Sequence, residues 1–220
     1  MSKESMWWDN SWGPVSGCTP ISEGCENCFA RAIYHRFKKD FSVKLHPERL
    51  DIPSKLRKPR RVFVDSASDL FHTDVPLSFI SDVIVKMVHY PHHTYYVCTK
   101  RADRMAEVLK GWTPHPSIWF GVTAENQARA DERIPLLLQT PAAHRFVSVE
   151  PMLGQIHLDR IHVGRSLNTV PLDWIVCGPE TGRKARPCDL KWIKDLHAQC
   201  KVAGIPFWDK RKNPLSREQP

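Results

Sequence analysis

Between residues 61 and 208 one unit recurs: a short β-branched or aromatic run that ends on polar residues, then a stretch whose apolar positions fall three and four apart. Residues 61–66 form the first such run, and Ile80, Val83, Ile84, Met87 and Val88 form the helical stripe behind it, with Pro76 near its start. Residues 94–99, 117–122, 145–149 and 174–177 repeat the strand pattern. Residues 101–109 and the run Ile134, Leu136, Leu137 and Leu138 repeat the helical one. A last stripe, Leu190, Ile193, Leu196, Cys200 and Ala203, has Asp189 as its expected cap, Gly204 as its stop and residues 205–208 as a final strand. Strands separated by helices pair in parallel, because the crossover helix returns the chain to the same end of the sheet. Six or seven such units in 220 residues predict an α/β fold, a small or incomplete parallel βα barrel, with a doubly wound open sheet as the alternative. No glycine-rich dinucleotide fingerprint or phosphate loop follows an early strand, which disfavours a standard nucleotide-binding sheet. The pattern loosens over residues 154–171, read as a hairpin or loop excursion. Residues 1–209 are read as one domain and 210–220 as a basic tail.

The chain is 41% hydrophobic and 25% charged, ordinary for a globular protein. No apolar run approaches the ~20 residues that span a bilayer, and the first residues lack a secretory core, so the expectation is a cytoplasmic protein with no membrane partner. A formal net charge of +8 favours polyanionic partners. It is concentrated in residues 55–61, 183–186 and 210–217, which makes a nucleic-acid-facing surface one reading and a solvated basic exterior the other.

Seven cysteines, an odd number without a disulfide-framework pattern, point to reduced thiols. Cys98, Cys177 and Cys200 lie in apolar patterns and read as packing, and Cys188 as a spare thiol. Cys18, Cys25 and Cys28 differ, because three thiols within eleven residues predict a loop around a metal with one coordination position left open. An iron–sulfur cubane with an open iron explains the count. Zinc needs a fourth ligand, for which His35, His46 and His72 are candidates, and unligated thiols are the third reading. Polar residues also gather at the strand exits: Asp65, Ser66, Ser68 and Asp69, then Thr99 and Lys100, then Thr123, Glu125 and Asn126, then Glu150, then Glu180 and Thr181. In βα folds these ends converge on the active site, although any one such residue can simply cap a helix.

The blocks Gly17-Cys18-Thr19, Ser22-Glu23-Gly24-Cys25-Glu26-Asn27-Cys28-Phe29-Ala30 and Val64-Asp65-Ser66-Ala67-Ser68-Asp69-Leu70-Phe71-His72 carry a resemblance. So do Thr99-Lys100-Arg101, Gly121-Val122-Thr123-Ala124-Glu125-Asn126-Gln127, Ser148-Val149-Glu150-Pro151-Met152-Leu153-Gly154 and Gly178-Pro179-Glu180-Thr181-Gly182. Together they resemble the phage-associated Gp37/Gp68 family, whose members look like small radical S-adenosylmethionine proteins. The resemblance implies a barrel of that type, with a [4Fe–4S] cluster on Cys18, Cys25 and Cys28 and S-adenosylmethionine on the open iron. By analogy Asp65, Ser66 and Ser68 would contact the cofactor's amino group and Glu150 its ribose. The gaps between the cysteines are six and two residues, against three and two in the common radical motif. The implied activity is formation of a 5′-deoxyadenosyl radical, fed by an external electron donor, to modify a nucleotide or nucleic acid. Lys100, Glu125 and Glu180 are the candidates for substrate binding or proton handling. The alternative is a non-catalytic iron–sulfur or zinc protein that binds nucleic acid or a phage or host protein. Trp7, Trp8 and Trp12 are expected either to stack on a base or to form a hydrophobic lid.

Overall fold

The computed structural model describes residues 7–161 and 172–211. In chain order they form β1 (Asn10–Trp12), β2 (Val15–Ser16), α1 (Phe29–Arg36), β3 (Lys44–Leu45), α2 (Ile52–Lys55) and β4 (Arg61–Val64). The regular alternation follows: α3 (Leu77–His89), β5 (Thr94–Thr99), α4 (Ala102–Val108), β6 (Ile118–Thr123), α5 (Gln127–Gln139), β7 (His144–Val149), β8 (Trp174–Cys177), α6 (Leu190–Ala203) and β9 (Phe207–Asp209).

Seven of these strands make one parallel sheet in the order β1-β4-β5-β6-β7-β8-β9, and β2 pairs with β3 in a separate antiparallel ribbon. Each strand joins on the same side of its predecessor, so the sheet curls steadily. Among the described residues β1 and β9 are the two edges of the sheet. The result is a half-barrel, the incomplete parallel βα barrel expected from the alternation. The doubly wound alternative would have required the strand order to reverse.

Period-2 alternation sorts the side chains between the two faces. Val62, Val64, Tyr95, Val97, Phe120 and Val147 point outward into the core shared with the helices. Their neighbours Tyr96, Trp119, Phe146, Trp174 and Trp208 point to the concave side and fill it with rings. Trp7 plugs this aromatic layer, with ring centroids 4.9 Å from Phe63, 5.0 Å from Tyr96 and 5.1 Å from Trp174. Gly121 faces the same side, in register with Phe146, and a Cβ there would lie 2.5 Å from the Phe146 ring. Only a glycine lets that ring lie across β6.

Helix ends follow local chemistry. Asn126 Oδ1 accepts from the Arg129 amide at 3.0 Å and caps α5, and Asp189 Oδ1 accepts from the Lys191 amide at 2.8 Å and caps α6, which ends at Gly204. Pro76 stands at the N-terminus of α3 as expected. β1, β2 and β3 were not anticipated; at two or three residues each they carry too short an alternation to read. Of the excursion over residues 154–171, the described part contains a 3-10 turn at Leu158–Ile161 rather than a strand, and residues 162–171 lie outside the described residues, as does most of the basic tail. Among the described residues no helix is long and apolar enough to cross a membrane.

Candidate functional site

The cysteine loop, residues 18–28, packs across the carboxyl ends of the central strands and is held there by charged clamps from three of them. At the first, the buried Arg101, just beyond β5, donates to Asp69 Oδ2 at 2.8 Å and to both the carbonyl and the hydroxyl of Thr19 at 3.1 Å. Thr99 Oγ1 and the Phe71 amide complete the shell of Asp69 at 2.7 and 3.0 Å.

The second clamp comes from beyond β6. Glu125 is fully buried, receives Arg133 Nη1 at 2.8 Å and accepts a short hydrogen bond from Ser22 Oγ. Gly24 lies directly on it, and a Cβ at that position would fall 2.3 Å from Glu125 Oε1, so the loop can seat only with glycine there. Asn126 and Arg129 grip the neighbouring Glu23. The third clamp follows β8: Glu180 accepts Asn27 Nδ2 at 3.0 Å and a forked pair from Arg186 at 3.0 and 2.6 Å, and Arg186 also donates to the Glu23 carbonyl at 2.9 Å. Those Arg186 bonds hold the Glu180 carboxyl down to about 2.

This packing overturns the metal expectation. Among the described residues no group of three or more His, Cys, Asp or Glu side chains is arranged to hold a metal ion. Cys18 Sγ lies 3.6 Å from the Arg101 guanidinium, and burial pushes its thiol up. Cys25 is turned toward Ser22 Oγ at 3.8 Å. Burial raises its thiol, but the surrounding amides of Ile21 and Ser22 and the charge of Lys100 outweigh burial and leave it lowered. Cys28 precedes α1 and faces the cavity described below. Nor do the histidines complete a set: His72 Nε2 is bonded to Thr19 Oγ1 at 2.7 Å, His46 to Ser16 at 2.7 Å and to Glu48 at 3.0 Å, and His35 is exposed on α1. The donors do not fit a [4Fe–4S] cluster on Cys18, Cys25 and Cys28, nor a zinc ion. The expected radical cleavage of S-adenosylmethionine, the enzyme built on it and the non-catalytic iron–sulfur or zinc alternative therefore have no centre to rest on.

The remaining expected site residues divide between framework and cavity. Asp65 is buried; its Oδ1 accepts the Val15 amide at 2.9 Å and Ser68 Oγ at 3.0 Å, and Ser68 also donates to the Val15 carbonyl at 2.9 Å. Both residues thus fasten the β2 strap and stand off the cavity wall, as does Glu125. Ser66, Lys100, Glu150 and Glu180 do line a cavity of about 750 Å³ on the concave side. It runs from Arg60 and Arg61 at the start of β4 to Lys100 and Glu150 beyond β5 and β7. Trp8, Phe63 and Phe29 are its aromatic walls. Trp8 is the one expected tryptophan on this wall, Trp7 and Trp12 being core.

Pairing decides the charge of this wall. Asp9 is matched by Arg61 at 2.9 Å, Glu150 by Lys210 at 3.2 Å and Glu180 by Arg186. Lys210 also lies over the Trp8 ring, 5.9 Å from its centroid. The side chains of Arg60 and Lys100 make no ion pair or hydrogen bond with any described residue, although the charge of Arg60 helps hold the Asp9 carboxyl down, so cations outnumber carboxylates in a lining that also carries aromatic rings. Sequence reasoning found Lys100 but missed Arg60, and it missed the clamp arginines 101, 133 and 186. Nothing in an isolated arginine signals that its partner lies on a distant strand end.

The fold and site define an open βα half-barrel with a clamped N-terminal loop and a cationic, aromatic cavity on its concave face. The chain belongs to the family described as Protein of unknown function (DUF5131), whose model matches residues 3–216. No curated protein and no solved structure matches the chain.

Proposed function

We propose that the concave cavity binds the phosphorylated, aromatic unit of a nucleotide, free or within a nucleic acid. The observation that carries this reading is the charge left after pairing: Arg60 and Lys100 line the cavity with no ion pair to a described residue, and Trp8 and Phe63 line it with them. Aromatic faces stack bases of any identity, and adjacent cations attract the phosphate, the combination by which single-stranded nucleic acids are bound without strong sequence preference. A carboxylate ligand of similar size would use the cations but leave the rings idle. Three further features support the reading. Arg57, Lys58 and Arg60 are exposed on the approach to β4. The chain carries a net +8. The resemblance of the sequence blocks to the phage-associated Gp37/Gp68 family agrees with a nucleic-acid ligand, and membership of that narrower group is part of this proposal.

Binding is measured by fluorescence anisotropy of a labelled single-stranded oligonucleotide, and by quenching of tryptophan fluorescence with a nucleoside 5′-monophosphate. Lys100→Ala removes a charge-assisted contact worth ~1.5 kcal/mol or more, so affinity for both probes is expected to fall about tenfold. Lack of binding to either probe, or equal affinities for wild type and Lys100→Ala, would defeat the proposal.

A further inference from the structure

Helix α1 leaves the cysteine loop at the cavity rim, and only Ala30 among its residues is buried. Phe29, Ile33 and Phe37 recur at every fourth position, which places them on one side of the helix, and they are 50%, 48% and 63% exposed. Water is an unfavourable neighbour for such a row, and solvent exposure of three large apolar groups in line marks a surface that meets something. Phe29 belongs at once to this row and to the cavity wall, so the stripe continues the cavity outward. At 1.5 Å per residue it extends the surface by ~12 Å.

The charge around the stripe says what the partner is. Arg31, Arg36, Lys38 and Lys39 flank it, and no acidic residue occurs between Cys28 and Lys39. None of the four side chains makes an ion pair or hydrogen bond with any described residue. Arg36 instead lies over the Phe37 ring, 5.9 Å from its centroid. Nearby acids are already engaged: Asp40 with Lys44 at 3.1 Å and Glu26 with Arg186 at 3.0 Å. A hydrophobic protein surface would cover the rings but leave four cations unmatched, whereas a single-stranded nucleic acid supplies flat apolar bases and a phosphate line together.

We infer that α1 is a track for the nucleotides flanking the one held in the cavity, so that the ligand is a single strand rather than a free nucleotide. The inference rests on the cavity reading above, and it deepens that reading by naming the ligand class and the path it follows. Bases stack on Phe37 and over Ile33, and phosphates meet Arg36, Lys38 and Lys39.

The test compares a nucleoside 5′-monophosphate with a single-stranded oligonucleotide of about twelve nucleotides, within the usual span for such surfaces. The proteins are wild type, Phe37→Ala and the double variant Lys38→Ala with Lys39→Ala. These side chains are exposed, so the variants fold; far-ultraviolet circular dichroism and thermal melting verify it. Wild type is expected to bind the oligonucleotide at least tenfold more tightly than the monophosphate. Each variant should lose about tenfold for the oligonucleotide while keeping its affinity for the monophosphate. Equal wild-type affinities for the two probes, or variants with unaltered oligonucleotide binding, overturn the track and leave the cavity reading standing. Failure to bind either probe removes the cavity reading, and the track falls with it. Tight, Phe37-dependent binding of polyglutamate would assign the stripe to an acidic protein instead. A dimer in sedimentation that Phe37→Ala dissociates would assign it to a second copy of the chain. Either result overturns the inference.

Discussion

Asp65 shows how far a side chain's surroundings can shift its chemistry. In sequence it is a polar strand exit, indistinguishable from a helix cap or a ligand. In the fold it has φ 52° and is buried behind β4, where loss of solvent pushes its carboxyl from 3.8 up to about 8, against the opposing pull of the Val15 amide and Ser68. The folded protein therefore keeps a proton that the unfolded chain releases near its ordinary carboxylate range. Its contribution is fully favourable below about pH 4, is lost progressively as pH rises toward about 8, and changes no further above that. The loss approaches ~1.4 kcal/mol per pH unit inside the window. Asp65→Asn keeps the Oδ1 acceptor and tolerates the left-handed backbone, but carries no titrating proton. Urea denaturation should show the variant gaining on wild type across that interval, and parallel pH profiles for the two proteins would contradict the assignment. The polarity of position 65 was legible in the sequence. The upward shift of its carboxyl was not, because burial is a property of what packs around it.

At the scale of elements, the strand-exit residues Asp69, Arg101, Glu125 and Glu180, with Arg133 of α5 and Arg186 of the loop after β8, act chiefly as the clamps that seat the cysteine loop. The buried Glu125–Arg133 pair is the most exacting of these, with neither partner more than 2% exposed. Removing one member leaves the other's charge buried and unmatched, so Glu125→Ala should destabilise the protein by ~3–5 kcal/mol. The loss should also release the loop at Ser22 and Gly24, and alkylation of the neighbouring Cys25 by iodoacetamide should quicken accordingly. A variant that unfolds at the wild-type denaturant concentration with unchanged Cys25 labelling would show that the clamp does not hold the loop. The recurrent strands and helices of this region were legible from their periods, down to the Asp189 cap of α6 and the β8 boundaries at Trp174 and Cys177. β1 was not: its three residues become a strand by pairing with β4, a partner about fifty residues away, from Asn10↔Val62 to Trp12↔Val64.

Across the whole molecule, exposed and cavity-lining cations come from segments far apart in sequence. The approach to β4 brings Arg57, Lys58 and Arg60, the end of β5 brings Lys100, and α1 with the turn after it brings Arg31, Arg36, Lys38 and Lys39. If these meet phosphates, oligonucleotide affinity must fall linearly with the logarithm of salt concentration, with a slope of ~0.7 for each phosphate neutralised on a single strand. Lys100→Ala should flatten that slope by about 0.7, and the Lys38→Ala, Lys39→Ala double variant by about 1.4, if each lysine meets one phosphate. A salt-independent affinity would show that the cations do not contact the backbone.

Local periodicity carried the order of strands and helices, their parallel pairing and the basic character of the surface, because each depends on residues a few positions apart or on composition alone. The convergence of side chains was decided by tertiary structure. Three cysteines within eleven residues looked like a metal loop, yet their directions are set by Arg101 reaching Thr19 across 82 residues and by Glu180 reaching Asn27 across 153. Sequence spacing brings thiols near one another. Only the contacts on the far side of the loop determine whether they face a common point; here Cys18 lies by Arg101, Cys25 by Ser22 and Cys28 on the wall of an aromatic, cationic cavity, and no metal-holding group forms among the described residues.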